Sequence, residues 1–260
     1  IVLPVGPEDF DTARFTLTNL FKYFPFRKLY IVSSFETFKK IGINELQSEK
    51  TIFIDESSVN PGINLSEIKT LCGKLFNDTS RGGWYFQQFL KMGISQLPTL
   101  SDHYLVWDAD TIPLKPIHFF DEDGRVLYSF KTDTHQPYFN TLKKLTGIDK
   151  QVDYSFITEH MMIKKAYMQE LLKMIGQSNA SGNNWIEKIM NSVAPVEYVS
   201  GFSEFESYGN FIAKLHPYSF AIRKIKHKRS GSKISKSPNR LLLFILSFFR
   251  DTVSFEKGHT

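Results

Sequence analysis

The sequence has only one cysteine, Cys72, among its 260 residues. A single cysteine cannot form an internal disulfide, which excludes the cross-linked folds of small secreted proteins and suits a reducing compartment. The sequence also lacks any run of about 18 consecutive apolar residues, so no membrane-spanning helix is predicted. Internal repeats are absent too, which excludes solenoids and propellers.

Outside one segment the sequence carries little net charge. The formal net charge is +5, but residues 223–236 (RKIKHKRSGSKISK) hold seven Lys or Arg residues and no acid. Without those seven, 25 basic residues stand against 27 acidic ones. Because the positive charge is confined to one short segment, the chain does not resemble a nucleic-acid-binding domain, and we predict no nucleic-acid partner.

Apolar side chains, in contrast, are abundant: 42% of residues are hydrophobic and 24 are phenylalanine. Continuously apolar segments alternate with segments of helical spacing, which predicts an α/β fold whose mostly parallel, Rossmann-like sheet has helices on both faces. Strands are predicted at 1–6, 28–33, 51–57, 104–107 and 125–130, a strand and then a helix over 154–175, and further helices at 11–24, 35–41, 65–76, 81–97 and 183–193.

Two aspartates, Asp108 and Asp110, interrupt the apolar stretch YLVWDADTIPL at 104–114. In open α/β sheets ligands bind beyond the carboxyl ends of the strands, and these acids fall where a strand ends. In an extended segment their side chains point to one side, so both can reach one divalent cation, Mn²⁺ or Mg²⁺. The alternative is that the acids only cap the next element or pair with lysines.

The helix that precedes this strand carries a polar stripe. Arg81, Trp84, Gln88 and Lys91 follow one another at spacings of three and four, so they share one face. One aromatic ring, one amide and two cations suit a phosphorylated ligand with a base that can stack. The alternative is a solvated face with one partly buried tryptophan.

Two enzyme classes use such an arrangement, and a non-catalytic glycan- or nucleotide-binding module would share the fold without needing the metal. In the first class the metal holds a diphosphate leaving group while an acceptor hydroxyl attacks a sugar carbon. In the second, Asp108 is itself a nucleophile, as in phosphatases of the haloacid-dehalogenase type. The phosphatase motif fits poorly, because Thr111 comes one residue early and the motif lies far from the start of the chain.

Four stretches in order, RGGWYFQQFLKM, YLVWDADTIPL, SFITEHMMIKK and FSEFESYGNF, resemble a family of GT-A-type glycosyltransferases found mainly in bacteria near surface-polysaccharide genes. The resemblance covers roughly residues 1–220. It implies a metal-dependent enzyme that moves a sugar from a nucleotide-diphospho-sugar to an acceptor. Beyond the resemblance, we expect a donor of the UDP or GDP type and a glycan or lipid-linked acceptor. We therefore expect a catalytic domain over 1–222.

The resemblance also implies roles for individual residues. Asp108 and Asp110 match the metal-binding pair, with His216 as a candidate third ligand and His160 as the other. Glu159 and Glu204 are the candidates for the base that an inverting reaction would need, with a salt bridge from Glu159 to a nearby lysine as the alternative. The residues assigned to donor binding are Pro4, Val5, Arg81, Trp84, Gln88, Lys91 and Trp107.

The last segment, 223–260, is predicted to be an appendage of the domain. It joins the basic run to RLLLFILSFFR at 240–250, in which nine residues, all apolar except Ser247, lie between two arginines. This run is too short to span a bilayer but suits an amphipathic helix at an anionic interface. We expect a cytoplasmic protein with peripheral contact at the inner face of the membrane; the alternative is an ordinary core or dimer helix.

Overall fold

The computed structural model describes residues 1–42 and 48–256. A five-stranded sheet forms its centre in the order β3-β2-β1-β4-β7. The first four strands in this order run parallel to one another, and β7 pairs antiparallel to β4 at one edge. The strands are β1 (Val2–Pro4), β2 (Leu29–Ser33), β3 (Thr51–Asp55), β4 (His103–Trp107) and β7 (His160–Lys164).

Helices cover the sheet and begin and end where local chemistry allows. Asn64 and Glu67 form a reciprocal capping box at the start of α4, and Gly147 ends α6 in the left-handed conformation that glycine adopts without steric cost. The helices are α1 (Phe10–Tyr23), α2 (Phe35–Ile41), α3 (Glu56–Val59), α4 (Leu65–Phe76), α5 (Gly82–Gly93), α6 (Gln136–Thr146), α7 (Lys165–Gln177), α8 (Trp185–Ser192), α9 (Glu204–Leu215) and α10 (Arg240–Ser247).

Every residue of β2 is buried, as are all of β1 and the last four of β4, because both faces of the sheet are covered. The carboxyl ends of β1, β2 and β4 meet at one edge, since these strands are parallel. The chain segment after β4 therefore leaves the sheet at the edge where open α/β sheets bind ligands. The predicted α/β architecture is confirmed.

Two small sheets complete the fold, and one of them joins the segment predicted as an appendage to the strand after Asp110. β10 (Thr252–Ser254) lies between β5 (Thr111–Pro113) and β9 (His227–Lys228), and β8 (Phe220–Arg223) pairs with β6 (Val126–Ser129). The end of the described chain is thus hydrogen-bonded to the strand that directly follows Asp110. Residues 257–260 of the predicted segment lie outside the described residues.

Helix α10 packs on this C-terminal sheet through one face only. Its Leu243 is buried against Ile112, Leu114 and Val253, and Phe15 of α1 lies against the same cluster. Across residues 1–42 and 48–256, no helix combines the length and the apolar character needed to cross a membrane.

Candidate functional site at the carboxyl edge of the sheet

Asp108 and Asp110 occupy the turn between β4 and β5. The backbone N–H of Asp108 donates to the carbonyl of Glu159 (2.9 Å), and the N–H of Thr111 donates back to the carbonyl of Asp108 (3.0 Å). The carbonyl of Asp110 accepts from the N–H of Phe255 (2.9 Å). Two distant segments of the chain, at Glu159 and Phe255, therefore fix the backbone of the pair. The Asp108 side chain keeps 20% of its surface exposed.

The surroundings of the Asp110 carboxylate are acidic. Burial raises its pKa well above the usual value, and the negative charges of Asp108, Asp9 and Glu256 raise it further. The Thr111 hydroxyl donates to Asp110 Oδ1 (3.1 Å), which opposes the rise only in part. A bound cation would relieve this repulsion, because an opposite charge within a few ångströms favours the ionised carboxylate.

Asp108 belongs to a buried group, the Lys91 cluster, made of Lys91, Asp108, Glu204 and Gln88. The Lys91 Nζ lies 2.5 Å from Asp108 Oδ1 and 2.7 Å from Glu204 Oε1. Burial alone would lower the pKa of Lys91, but the two carboxylates outweigh it and raise that pKa. Gln88 joins the cluster by accepting the backbone N–H of Glu204 (3.0 Å). One cation is therefore shared between two acids at the centre of the site.

Glu159 forms a second buried group, the Glu159 cluster, with Lys131 and His227. Its Oε1 lies 2.6 Å from Lys131 Nζ, and its Oε2 lies 3.3 Å from His227 Nε2. Desolvation, followed by the charge of Lys131, lowers the pKa of His227 to about 3. The imidazole is therefore neutral at ordinary pH, and its approach to Glu159 is a polar contact rather than an ion pair.

The backbone of Glu159 is strained. Its φ of +60° falls in the left-handed region, where a side chain costs roughly 1–2 kcal/mol. Strain of this kind persists only where the surroundings fix it, and it concentrates at functional sites. At Glu159 the bend carries its carbonyl to Asp108 and its carboxylate to Lys131 and His227.

The predicted polar stripe of α5 divides into two parts. The Arg81 guanidinium lies over the Trp84 ring at 4.3 Å, and its Nε donates to the carbonyl of Val199 (2.8 Å). Gln88 and Lys91 are buried and hold Glu204 instead. Gln88 and Lys91 thus act inside the site. Arg81 lies at the start of α5, about 15 Å along the helix from Lys91, and donor binding by the stripe remains a prediction.

The structure does not bring His216 to the aspartates. It follows α9, whose first residue is Glu204, and twelve residues of helix at 1.5 Å each put it about 18 Å from the start of α9. There its Nε2 lies 3.0 Å from Glu170 Oε2, and its ring stacks on Tyr167 at 3.7 Å. The expectation that His216 completes the metal site is therefore corrected: it lies at the wrong end of the helix.

His160 and Trp107 also differ from expectation. They face each other across β4 and β7, with their rings stacked at 4.7 Å, and both are buried. Burial lowers the pKa of His160 well below its usual value, so it stays neutral. The Trp107 indole donates to the carbonyl of Thr111 (2.6 Å). Both are core side chains that brace the turn, and neither offers a surface to a ligand or a metal.

The remaining predicted residues lie near the edge of the sheet. Pro4 ends β1, and Val5 donates its N–H to the carbonyl of Val32 in β2 (2.9 Å), so both are buried at the edge where a donor would dock. Glu204 and Glu206 begin α9 and are buried rather than solvated. Glu204 belongs to the Lys91 cluster, whereas Glu206 contacts Asn210.

Several site residues were missed by sequence reasoning. Lys131 and His227 contact Glu159, Arg229 pairs with Glu256 (2.8 Å), and burial together with the Glu204 charge raises the pKa of Tyr138 to about 12. His227 and Arg229 belong to the basic run 223–236, which the sequence predicts to be part of an appendage of the domain. The signal that could have indicated these residues was His227 itself. It is the one histidine in a run whose other ionisable side chains are Lys and Arg.

The two aspartates satisfy part of what a divalent cation requires. Among residues 1–42 and 48–256 no group of three His, Cys, Asp or Glu side chains is placed to hold a metal ion. Mg²⁺ is commonly held by one or two carboxylates together with waters and substrate phosphate oxygens. Asp108 and Asp110 can supply the carboxylates. The pair therefore fits a cation that a phosphorylated ligand helps to bind.

Comparisons with known proteins agree with this fold. The model of the family of unknown function DUF6492 matches residues 10–226. The structure of the galactosyltransferase LgtC in complex with donor and acceptor sugar analogues aligns over 99% of this chain and 87% of its own, with 8% identity and a TM-score of 0.50. Mouse xyloside xylosyltransferase 1, in its apo form, aligns over 99% of this chain and 96% of its own, with 13% identity and a TM-score of 0.49.

No curated protein matches the sequence. At these identities the structural likeness concerns the fold, which is that of GT-A glycosyltransferases.

Proposed function

The chain belongs to the family of unknown function DUF6492, and from its own geometry we propose that it is a metal-dependent glycosyltransferase. It would move a sugar from a nucleotide-diphospho-sugar of the UDP or GDP type to a glycan or lipid-linked acceptor, as in surface-polysaccharide synthesis. One observation carries the proposal. Two aspartates stand at the ligand-binding edge of a GT-A-type sheet, and the strongest charges acting on Asp110 are negative.

Asp108 and Asp110 would hold the divalent cation, Mn²⁺ or Mg²⁺. A cation at this position supplies charge neutralisation for the departing diphosphate. The chain's own contribution is to keep the two carboxylates in place. The Lys91 ammonium binds one oxygen of Asp108, and the hydrogen bond from Phe255 fixes the backbone of Asp110.

Lys91 acts in this proposal as a positioning residue rather than as a direct ligand of the donor. It is buried and lies between Asp108 and Glu204, so it orients the first acid and neutralises the second. Donor contacts would fall instead to Arg81 and Trp84 near the start of α5, which stack together and present a cation and an aromatic ring.

Glu159 is the better candidate for a base in an inverting reaction. A base must accept the acceptor hydroxyl's proton, and a pKa raised toward neutrality favours that role. Burial raises the pKa of Glu159 against the effect of Lys131. Glu204 is less suited, because the lysine that engages its carboxylate, Lys91, is itself buried and also binds Asp108, whereas the lysine that engages Glu159 is partly exposed.

The phosphatase alternative receives no support from the site. That reading needs the nucleophilic aspartate on an early strand, whereas Asp108 follows the fourth strand in chain order and its Oδ1 contacts Lys91. A non-catalytic module remains the useful rival, and metal-dependent donor hydrolysis distinguishes it from an enzyme.

A panel of UDP- and GDP-sugars with Mn²⁺ tests the proposal. We expect one donor to raise the melting temperature only when Mn²⁺ is present, because a ligand that binds the folded state alone stabilises it. The same donor should be hydrolysed slowly. A panel in which no donor gives a metal-dependent shift would contradict the proposal.

The variant Asp110→Asn sharpens this test. It should abolish both the Mn²⁺-dependent shift and turnover, while the protein alone melts at the same temperature or higher, because a like-charge repulsion has been removed. Asp123→Asn is the matched control, since Asp123 lies on the surface with 76% of its side chain exposed. Full activity in Asp110→Asn would discard the metal assignment.

A further inference from the structure

Helix α10 exposes a stripe of large apolar side chains. Leu241, Phe244, Ile245 and Phe248 occupy positions i, i+3, i+4 and i+7, so they share one face of the helix. Their exposed fractions run from 48% to 70%, and neighbouring Phe249 is 64% exposed. The opposite face carries Leu243 and packs on the C-terminal sheet. The outward stripe is therefore not needed for the core.

Positive charge flanks this stripe at both ends of the helix. Over residues 223–256 nine Lys or Arg residues stand against two acids, Asp251 and Glu256. Arg240 lies in the first turn of α10, and Lys226 lies at its far end, where the backbone N–H of Lys226 donates to Asp251 (2.7 Å). Glu256 is paired with Arg229. The solvent-facing surface of α10 therefore combines an apolar centre with a cationic rim.

We propose that α10 is a docking surface for an anionic phospholipid bilayer, into whose interface the stripe Leu241, Phe244, Ile245, Phe248 and Phe249 inserts. The chemistry matches such a surface, because apolar side chains bury in the acyl boundary while Lys and Arg residues pair with acidic headgroups. A soluble protein partner or a second copy would not require the cationic rim. The eight-residue helix lies along the interface rather than across it.

The placement of α10 gives the docking a consequence for the site. Val253 of β10 pairs with Ile112 of β5, and Leu243 of α10 packs on both. Ile112 lies only two residues after Asp110 in the sequence, so α10 contacts the strand that continues from the aspartate turn. Docking therefore holds the aspartate turn next to the membrane. This would favour an acceptor that is itself anchored in the lipid.

Flotation of the full chain with vesicles tests the docking surface. Vesicles of phosphatidylcholine containing about 30% phosphatidylglycerol should carry the protein, and pure phosphatidylcholine vesicles should carry much less, because the cationic rim needs acidic headgroups. The double variant Phe244→Ser/Phe248→Ser should lower the partition coefficient about tenfold or more, since two aromatic side chains lose their apolar burial.

The matched control is Val196→Ser/Tyr218→Ser, which removes two side chains that are 95% and 91% exposed elsewhere on the surface. It should bind vesicles as the wild type does. A second pair of substitutions, Lys226→Gln and Arg240→Gln, should each weaken binding to the anionic vesicles about fivefold and leave the weak binding to neutral vesicles unchanged.

Three outcomes would overturn the proposal. The first is that the wild type does not float with anionic vesicles. The second is that the two double variants bind the vesicles equally. The third is that Phe244→Ser/Phe248→Ser changes the oligomeric state measured by light scattering, which would assign the stripe to contact with a second copy. None of these measurements involves sugar transfer, so their failure leaves the proposed function standing.

Discussion

On one side of Asp108 a single cation, Lys91, is shared between two carboxylates, whereas on the other side a single carboxylate, Glu159, is shared between a lysine and a neutral histidine. The Lys91 cluster therefore carries an excess negative charge, and the Glu159 cluster is balanced. The difference is consistent with the proposed cation site, because an added cation would be attracted to the side of Asp108 and Asp110. The balanced side can hold a proton acceptor in a fixed position.

The largest expected contrast between the clusters is in turnover. Glu159→Gln should lower kcat by about 10²–10⁴-fold if Glu159 is the base, because general base catalysis contributes on that order. The isosteric change keeps the buried packing and an oxygen acceptor for the partly exposed Lys131, so the variant should fold with a lowered melting temperature. Rates are measured with the donor found in the nucleotide-sugar panel.

Glu204→Gln is the comparison for that measurement. In this variant the backbone N–H of residue 204 still donates to Gln88, and Lys91 stays paired with Asp108. We expect a smaller loss of kcat than in Glu159→Gln. Equal losses in the two variants would remove the distinction between the clusters, and normal turnover in Glu159→Gln would exclude it as the base.

The second contrast is in stability. Lys91→Met leaves Asp108 and Glu204 buried without their cation, and breaking a buried ion pair in this way costs about 3–5 kcal/mol in the free energy of unfolding. Urea denaturation measures the change. Lys143→Met is the matched control: Lys143 pairs with Asp149 at 2.8 Å, but both side chains are more than 60% exposed, so the expected loss is below about 1 kcal/mol.

A Lys91→Met protein that unfolds like the Lys143→Met control would show that Lys91 is not the shared cation of a buried cluster.

The third contrast uses pH and concerns His227. Its pKa is about 3 in the folded protein and near 6.5 in the unfolded chain, so between these values the unfolded state binds more protons and stability falls as pH falls. His227→Gln removes this dependence. Between pH 6.5 and 3, the wild type should lose on the order of 2–4 kcal/mol more of its unfolding free energy than the variant.

Parallel pH curves for the two proteins would mean that His227 is not held neutral against Glu159. Because the comparison is made between wild type and variant, carboxylates that titrate over the same range cancel.

The smallest contrast concerns the backbone of Glu159. Glycine adopts φ near +60° freely, whereas alanine does not, so Glu159→Gly should be more stable than Glu159→Ala by about 1 kcal/mol. Lys173 in α7 is the control position, where the order should reverse by about 1 kcal/mol because alanine is the better helix former. The same order at both positions would contradict the left-handed conformation.

Much of the central fold follows from the sequence, and particular segments show why. LYIVS and HYLVW are apolar without interruption, and strands buried on both faces require that pattern. The helix near 35–41 and the helix of 65–76 also appear where their spacing predicts them. Helix α6 was missed, because it begins QPYFNT, where polar residues and a proline obscure the apolar period.

The site could be predicted only in part. The position of Asp108 and Asp110 follows from strand order, since parallel strands expose their carboxyl ends at one edge. The pairing of β10 with β5 does not follow, because three-residue strands such as TIP and TVS are too short to show a period. Without that pairing His216 and His227 look alike in the sequence, and only the tertiary contact with Glu159 distinguishes them.

The pairing of β10 with β5 also determines when the Asp110 turn is completed during synthesis. Synthesis releases the chain from its first residue onward, so the five-stranded sheet has all its strands once Lys164 has emerged, yet the turn at Asp110 still lacks the N–H of Phe255. For more than eighty residues of further translation the nascent protein carries an unfinished acidic turn. Proteolytic loss of the strand at 252–254 should likewise leave a folded body whose Asp110 turn lacks this hydrogen bond.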